Sequence, residues 1–244
     1  MIRLILLFAF TAFSWAVQPA RETPACKKCN KTSATVHFDD NGDCRMCLYK
    51  IYDELGEKFS TANQELYCGN RFYYGPNAKC NIHILGIADF SDSTLSDCVS
   101  LEHVAPKSHF NQDKGLSNDF HNLFPALLFV NIARKDKFFA EGHGKVLFGK
   151  CKSSIDKGDY GKMYPRDEIK GVIARAYLYM MDVSAVLKTR TFSEMGDCFE
   201  MMLKGWNDSY PPDVVECKRE KLIYEIQGNH NPYISNHPNC KLVK

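Results

Sequence analysis

Eleven cysteines in a chain of 244 residues, behind an apolar leader, constrain this protein more than any other feature. Arg3 supplies a positive start, Leu4 to Phe13 is almost wholly apolar, and Ser14-Trp15-Ala16 places small residues where a signal peptidase reads. The apolar stretch is too short for an ordinary transmembrane helix, and no later stretch reaches spanning length. The reading is a signal peptide over residues 1–16 and a secreted or periplasmic protein starting near Val17, with no stable membrane partner. In an oxidising compartment cysteines pair by default, so a disulfide-stabilised fold is expected. An odd count leaves at least one thiol without an intramolecular partner.

Cys68 and Cys80 bracket a Gly/Pro-rich turn and are the first expected pair. Cys98 stands where a bond would tie down the strand that follows. Cys26-Lys27-Lys28-Cys29 and Cys44-Arg45-Met46-Cys47 are separated by fourteen residues. That spacing is close to a small zinc ribbon, so a structural Zn²⁺ and two local disulfides are both open there. A redox-active pair would need a thioredoxin-like strand and helix around it, and none is visible. Residues 17–58 are read as a Cys-rich accessory segment, and residues 59–244 as the main domain.

Hydrophobic residues make up 45% of the chain and charged residues 25%, with a formal net charge of +2. Those values suit one well-buried domain and argue against disorder. They neither announce nor exclude nucleic-acid binding, because a local patch matters more than the total. Residues 132–170 carry ten Lys or Arg against six Asp or Glu, which fits either an ordinary solvated face or such a patch.

Asp43 to Leu55 reads as a first helix, and Tyr67 to Tyr74 as a short strand before the Gly75-Pro76 turn. Val99 to Val104 reads as a strand. Pro125 is expected as the first residue of a helix with Ala126, Leu127, Phe129 and Val130 as its apolar body, and Asn131 near the turn after it. Pro165-Arg166-Asp167-Glu168 opens the clearest helix, with Ile169, Val172, Ile173, Ala176, Tyr177, Met180 and Val183 at helical spacing. A further helix is expected over Ser193 to Trp206, and a last short element over Lys221 to Gln227.

The chemistry concentrates in two segments. Glu102-His103 sits in Leu101-Glu102-His103-Val104-Ala105-Pro106. Asp119-Phe120-His121-Asn122-Leu123-Phe124-Pro125 follows, running on to Val130-Asn131. Glu and Asn side chains offer hard oxygens to Mg²⁺, and an imidazole can take a proton from an attacking water. Alone, each dipeptide is weak, and Asn122 could merely shape a turn. Their order is more specific: a strand carrying Glu-His, a loop, and a helix carrying Asn make the layout of a one-metal phosphodiester-cleaving site.

These segments resemble the endonuclease I family of secreted and periplasmic bacterial nucleases, within the His-Me finger group. The resemblance is carried by Leu66-Tyr67-Cys68-Gly69, by Glu102-His103-Val104-Ala105-Pro106, and by Asp119 through Ala126 with Val130-Asn131. It continues in Gly171 through Met180 and in Gln227-Gly228-Asn229-His230-Asn231-Pro232-Tyr233. It implies an α+β fold: a ββα-metal core flanked by helices. It implies His103 as general base, Glu102 and Asn131 as the ligands of one Mg²⁺, and His121 and Asn122 as supports of the site. It further implies a DNA substrate, and RNA beside it, cut with little sequence preference to leave 5′-phosphates.

The chain departs from the family at several places that bear on binding: Ser117 stands where members tend to have an acid, Ile132-Ala133 where they have Gly-Asp, and the connector between the motifs differs. Members carry a longer, basic, Cys-containing insert between the two motifs, and its arginine contacts the cleaved phosphate. Here only Lys107 to Asn118 lies between, with no Arg and no Cys. No residue carries over to that arginine; Lys107 and Lys114 are the nearest cations, and Lys107 and Arg134 are candidates to bind the phosphate. Lys135, Lys137 and Arg175 are further candidates for the backbone, with a structural ion pair as the competing reading of Arg175. The expectation is a monomeric nuclease. The alternative is an exported nucleic-acid-binding protein with an impaired nuclease site.

Overall fold

The structure is a computed structural model that describes Tyr52, Leu55 and residues 64–69, 99–147, 151–158 and 160–242. The signal peptide, Cys26, Cys29, Cys44, Cys47, Cys80 and Cys98 lie outside the described residues. Of the first expected helix, Tyr52 and Leu55 are described; both are helical and buried.

The architecture is α+β. Strand β1 (Val99–His103) pairs antiparallel with β2 (Leu123–Leu127), Leu101 opposite Pro125 and His103 opposite Leu123. Helix α1 (Leu128–Arg134) follows β2 directly. A second sheet has three short antiparallel strands, β3 (Val146–Leu147), β4 (Ser154–Ile155) and β5 (Met163–Tyr164). Then come α2 (Asp167–Val183), α3 (Ala185–Met195), α4 (Asp197–Ser209) and α5 (Val214–Gln227). Two single-turn helices close the chain, α6 (Pro232–Ser235) and α7 (Pro238–Lys241), each opened by its proline.

Pro125 does not start a helix. It sits in the middle of β2, and the helix begins three residues later. The Pro125 carbonyl accepts from Leu66 N at 2.7 Å. In a strand, the N and O of one residue point to the same side, so the position lacking an N–H faces Leu66 and not β1. The ladder with β1 loses nothing. All five residues of β2 are buried, which favours an extended run between β1 and the Leu66 segment over an amphipathic helix. Asn131 consequently lies inside α1, not near the turn after it.

Helix α2 forms as its pattern requires. Its first turn holds Asp167 and Glu168, which suit the helix N-terminus. Ile169, Ile173, Ala176, Tyr177 and Met180 are buried, with Val172 and Val183 partly so. Lys170, Arg175 and Tyr179 are buried as well, so α2 is enclosed nearly all round. Each polar side chain has a dedicated partner: Lys170 pairs with Glu141 at 2.6 Å, Tyr179 donates to Asp119 at 2.5 Å, and Arg175 pairs with Glu216. A Cβ on Gly171 would lie 2.1 Å from the Tyr210 carbonyl oxygen, so only glycine lets α2 approach the end of α4 this closely.

The helix expected over Ser193 to Trp206 is two helices. Gly196, at φ 66°, ends α3 and donates its N–H to Phe192 O at 2.9 Å. Ser184, not Ser193, caps α3, accepting from Leu187 N. The last element is also longer than Lys221 to Gln227: Asp213 caps α5 at Glu216 N. The Cys68–Cys80 pairing is corrected too. Cys68 bonds Cys151, 83 residues away, with Cα atoms 4.6 Å apart. Closing a long loop costs little more than closing a short one, so nearness along the chain is a poor guide to pairing. Cys217 bonds Cys240 and ties α5 to α7, while Cys198 is exposed and unpaired.

Candidate active site

The β1–β2 ribbon and α1 bring Glu102, His103 and Asn131 onto one cleft of about 470 Å³. Lys107, Ser108, Gln112, Lys135 and Asp136 form its rim, and Arg134 lies at its floor. The described non-glycine residues with positive φ are Asn111, Gln112 and Lys135, all in or beside this cleft. Such conformations cost energy and persist where surrounding contacts impose them.

Successive residues of a strand point to opposite faces, yet Glu102 and His103 both reach the cleft because they end β1 where the chain turns away. Glu102 is 2% exposed. Its Oε1 accepts from Tyr67 OH at 2.6 Å and from Arg134 Nη1 at 2.5 Å. Among the described residues nothing donates to Oε2. Burial pushes the Glu102 carboxyl above its ordinary range, against the downward pull of Arg134 and the Tyr67 hydroxyl. The Tyr67 phenol is held well above its ordinary value by burial and by the Glu102 charge, so it stays a donor.

Asn131 is half-buried. Its Nδ2 donates to Ser100 Oγ at 2.9 Å and to Leu101 O at 3.2 Å. A carbonyl oxygen only accepts, so the amide nitrogen must face β1. That leaves Oδ1 as the outward atom, with no described donor. His103 is oriented by the same logic. Its Nε2 lies 2.9 Å from Ser117 O, which fixes the proton on Nε2 and the lone pair of the neutral ring on Nδ1. Ser117 ends a helical turn (Lys114–Ser117) capped by the Asp113 side chain. The short connector without Arg or Cys thus still supplies the carbonyl that sets the His103 tautomer.

His121 and Asn122 do not line the cleft. Asn122 brackets the residue after Val104: its Oδ1 accepts from Ala105 N at 2.7 Å and its Nδ2 donates to Ala105 O at 2.9 Å. His121 Nε2 faces Asn229 O at 3.2 Å, and its ring packs edge-on to Tyr179. Burial lowers the His121 pKa to about 4, so the ring is neutral. Asp119, Tyr179, Gln227 and Asn229 join one buried network around this turn, with Gln227 also accepting from Phe120 N at 2.9 Å.

The cations expected to grip the nucleic-acid backbone divide. Lys107 and Lys135 are exposed on the cleft rim, and Lys114 is exposed on the connector. Arg134 is 1% exposed and makes four hydrogen bonds, to Glu102, His103 O, Val104 O and Lys137 O. It clasps the end of β1 to the end of α1 and does not stand free on the surface. Burial opposes its charge, but Tyr67 and Glu102 more than restore it, and the guanidinium is held above its ordinary value. Lys137 is buried. Arg175 is away from the cleft, bound by both carboxylate oxygens of Glu216 at 2.7 and 2.6 Å. The structural ion pair is the correct reading of that residue.

Tyr67 is the site residue that pattern and spacing did not assign. It lies in the Tyr-Cys-Gly stretch, where no spacing shows what the phenol does. Cys68–Cys151 and the Ser153 Oγ bond to Tyr67 O at 2.6 Å lock its backbone in place.

An imidazole held through Nε2 by a carbonyl thus shares one cleft wall with a carboxylate oxygen and an amide oxygen. Residues 47–239 match the Endonuclease I family, and the chain belongs to that family. It is 30% identical to an extracellular deoxyribonuclease of Aeromonas hydrophila over 222 residues, 83% of this chain and 92% of that one. A periplasmic deoxyribonuclease of the same organism is 29% identical over 204 residues, 75% of this chain and 83% of the relative. An extracellular ribonuclease of Bacillus subtilis is 36% identical over 150 residues, 56% of this chain and 50% of the relative. The protein is thus a nuclease, secreted or periplasmic, and no described helix is long and apolar enough to cross a membrane. Membership implies a divalent metal cofactor. The Glu102 and Asn131 oxygens fit a hard cation of that kind.

Proposed function

We propose that the protein hydrolyses phosphodiester bonds of DNA, and of RNA, with little sequence preference, as a monomer using one Mg²⁺ and leaving 5′-phosphates. The observation that carries this reading is the shared cleft wall of Glu102, His103 and Asn131, with the His103 tautomer set by Ser117 O. The names of the Aeromonas relatives support DNA as substrate, and that of the Bacillus relative supports RNA.

Nδ1 of His103 takes the proton of a water as its oxygen attacks phosphorus. Ser117 O, bound to Nε2–H, stabilises the imidazolium that results. Glu102 Oε2 and Asn131 Oδ1 would hold Mg²⁺, which when bound neutralises charge on the pentavalent phosphorus and on the departing 3′ oxygen. Tyr67 and Arg134 hold the other Glu102 oxygen and keep Oε2 turned to the cleft. Lys107 and Lys135 on the rim meet backbone phosphates, which suits sequence-tolerant binding.

The test is cleavage of supercoiled plasmid by the oxidised protein with Mg²⁺, with EDTA, and in a His103→Ala variant. Cutting that needs Mg²⁺ and disappears in the variant is expected. Folded wild-type protein that binds DNA without cutting it would overturn the reading in favour of a binding protein.

A further inference from the structure

Lys107, Ser108 and Gln112, all lining the cleft, come from the short connector between the two motifs. The connector opens with a single helical turn, Lys107–Phe110, and then passes through Asn111 and Gln112, both at positive φ. Such a path persists where contacts impose it. Inside the connector, Lys107 O accepts from Asn111 N and Gln112 N, and Phe110 O accepts from Asp113 N. The carbonyl of Ser108 is met from 82 residues away: Arg190 Nη1, on α3, donates to it at 2.8 Å. Carbonyls at the end of so short a turn run out of helical N–H partners, and here a side chain supplies the donor. The guanidinium is aimed by Glu194, whose Oε1 accepts from Arg190 Nε at 2.6 Å. Beneath the turn, His109 Nδ1 lies 3.3 Å from Tyr177 OH, and its ring packs on Phe138.

Arg190 and Glu194 are 36% and 42% exposed, and an exposed pair four residues apart on a helix contributes little to stability. The reach to Ser108 is the more informative contact. It joins the outer helix α3 to the peptide next to Lys107, the exposed cation on the cleft rim. A lysine meets phosphate as a point charge on a flexible stem, so its grip depends on how firmly its backbone is held beforehand. We propose that Arg190 is a positioning residue for substrate binding: by holding the Ser108 carbonyl it fixes the backbone at Lys107 and presents that ammonium to a nucleic-acid phosphate. The inference rests on the nuclease reading above and adds to it a residue outside the cleft. Arg190 does not line the cleft, so its loss weakens binding and leaves the chemical step alone.

The test is a double-mutant cycle on Arg190→Ala and Lys107→Ala in the oxidised full-length protein. Initial rates of DNA cleavage in Mg²⁺ give kcat and KM, affinity for a short fluorescent duplex is read in EDTA, and urea unfolding reports the fold. Arg190→Ala is expected to raise KM and weaken duplex binding about three- to tenfold, the worth of one hydrogen bond, with kcat nearly unchanged. In the Lys107→Ala background the same change should have less than about a twofold effect, because the cation it positions is gone. Glu194→Gln removes the ion pair and leaves Arg190 able to reach Ser108, so its KM should stay within about twofold of wild type. An unchanged KM in Arg190→Ala would overturn the proposal, as would a loss confined to kcat. Equal losses in both backgrounds would overturn it too, because Arg190 would then meet the DNA itself. If the wild-type protein cuts but Arg190 shows no coupling to Lys107, only this inference falls. If the wild-type protein does not cut, the nuclease reading falls, and the duplex affinities still decide whether Arg190 acts through Lys107.

Discussion

On the cleft side of β1, two side chains are held from one side among the described residues: Glu102 keeps Oε2 outward and Asn131 keeps Oδ1 outward, next to His103, whose Nε2 faces a carbonyl. On the helical side of the same ribbon, polar atoms are enclosed. Asp119, Tyr179, Gln227 and Asn229 bond to one another, Arg175 to Glu216, and Arg219 to Tyr52 and to the carbonyls of Phe120 and Leu123. Both regions are rich in charged and amide side chains, so composition does not separate them. What separates them is completeness. Groups paired on all sides stabilise a fold, whereas groups paired on one side are aimed at something that arrives.

That contrast is broken most directly by exchanging loss of chemistry for loss of fold. His103→Ala should lower the rate of DNA cleavage by about 10²–10⁴-fold, the usual contribution of a general base, with urea unfolding unchanged. Arg175→Ala should do the reverse. Removing one partner of a buried ion pair costs about 3–5 kcal/mol of stability, because Glu216 is left charged without its cation. The folded fraction should keep its rate per molecule. Equilibrium unfolding alongside plasmid cleavage reads both, and an Arg175 variant that stays stable but stops cutting would dissolve the distinction.

A pH titration sharpens the contrast among the histidines. Burial lowers both His109 and His121 to about 4. Above about pH 6.5 both rings are neutral in folded and unfolded chains, and stability is full. As pH falls from about 6.5 toward 4, the unfolded chain binds protons that the native rings refuse, so stability drops by up to about 3 kcal/mol for each histidine. His109→Gln should remove about half of that drop. Urea unfolding at pH 7.5 and 4.5 measures it. A flat profile would mean that these rings are not held neutral by the fold.

The outward groups were the more legible part of the molecule. Glu102, His103 and Asn131 stand in short segments of the sequence, and the structure sets those segments on one cleft wall. α2 was legible for a similar reason, since its apolar repeat follows its own geometry. Pro125 was misread because a proline after a turn favours a helix start unless another segment accepts its carbonyl, and Leu66 is more than fifty residues away. Arg134 read as a surface cation because nothing in the sequence shows that β1 closes over it. Cys68 took a partner 83 residues away over one that was close by. In each case the deciding contact joins distant segments, and a single sequence carries no record of it.

Tyr67→Phe gives the smallest effect and tests the boundary between the two regions. The phenol belongs to the enclosed network by burial, yet it donates to a cleft carboxylate. Losing one hydrogen bond to a charged group costs about 1.5–3 kcal/mol when nothing replaces it. Here Arg134 remains on the same oxygen, so the low end is expected, with stability down by about 1.5 kcal/mol. Cleavage at saturating Mg²⁺ should fall less than about tenfold, because Arg134 alone still keeps Oε2 outward. The Mg²⁺ concentration for half-maximal rate should rise instead, since a carboxylate held by Arg134 alone is less firmly oriented than one held by two donors. Should Tyr67→Phe cut as poorly as His103→Ala at every Mg²⁺ concentration, the phenol does more than position Glu102, and the cleft side of the comparison must be redrawn to include it.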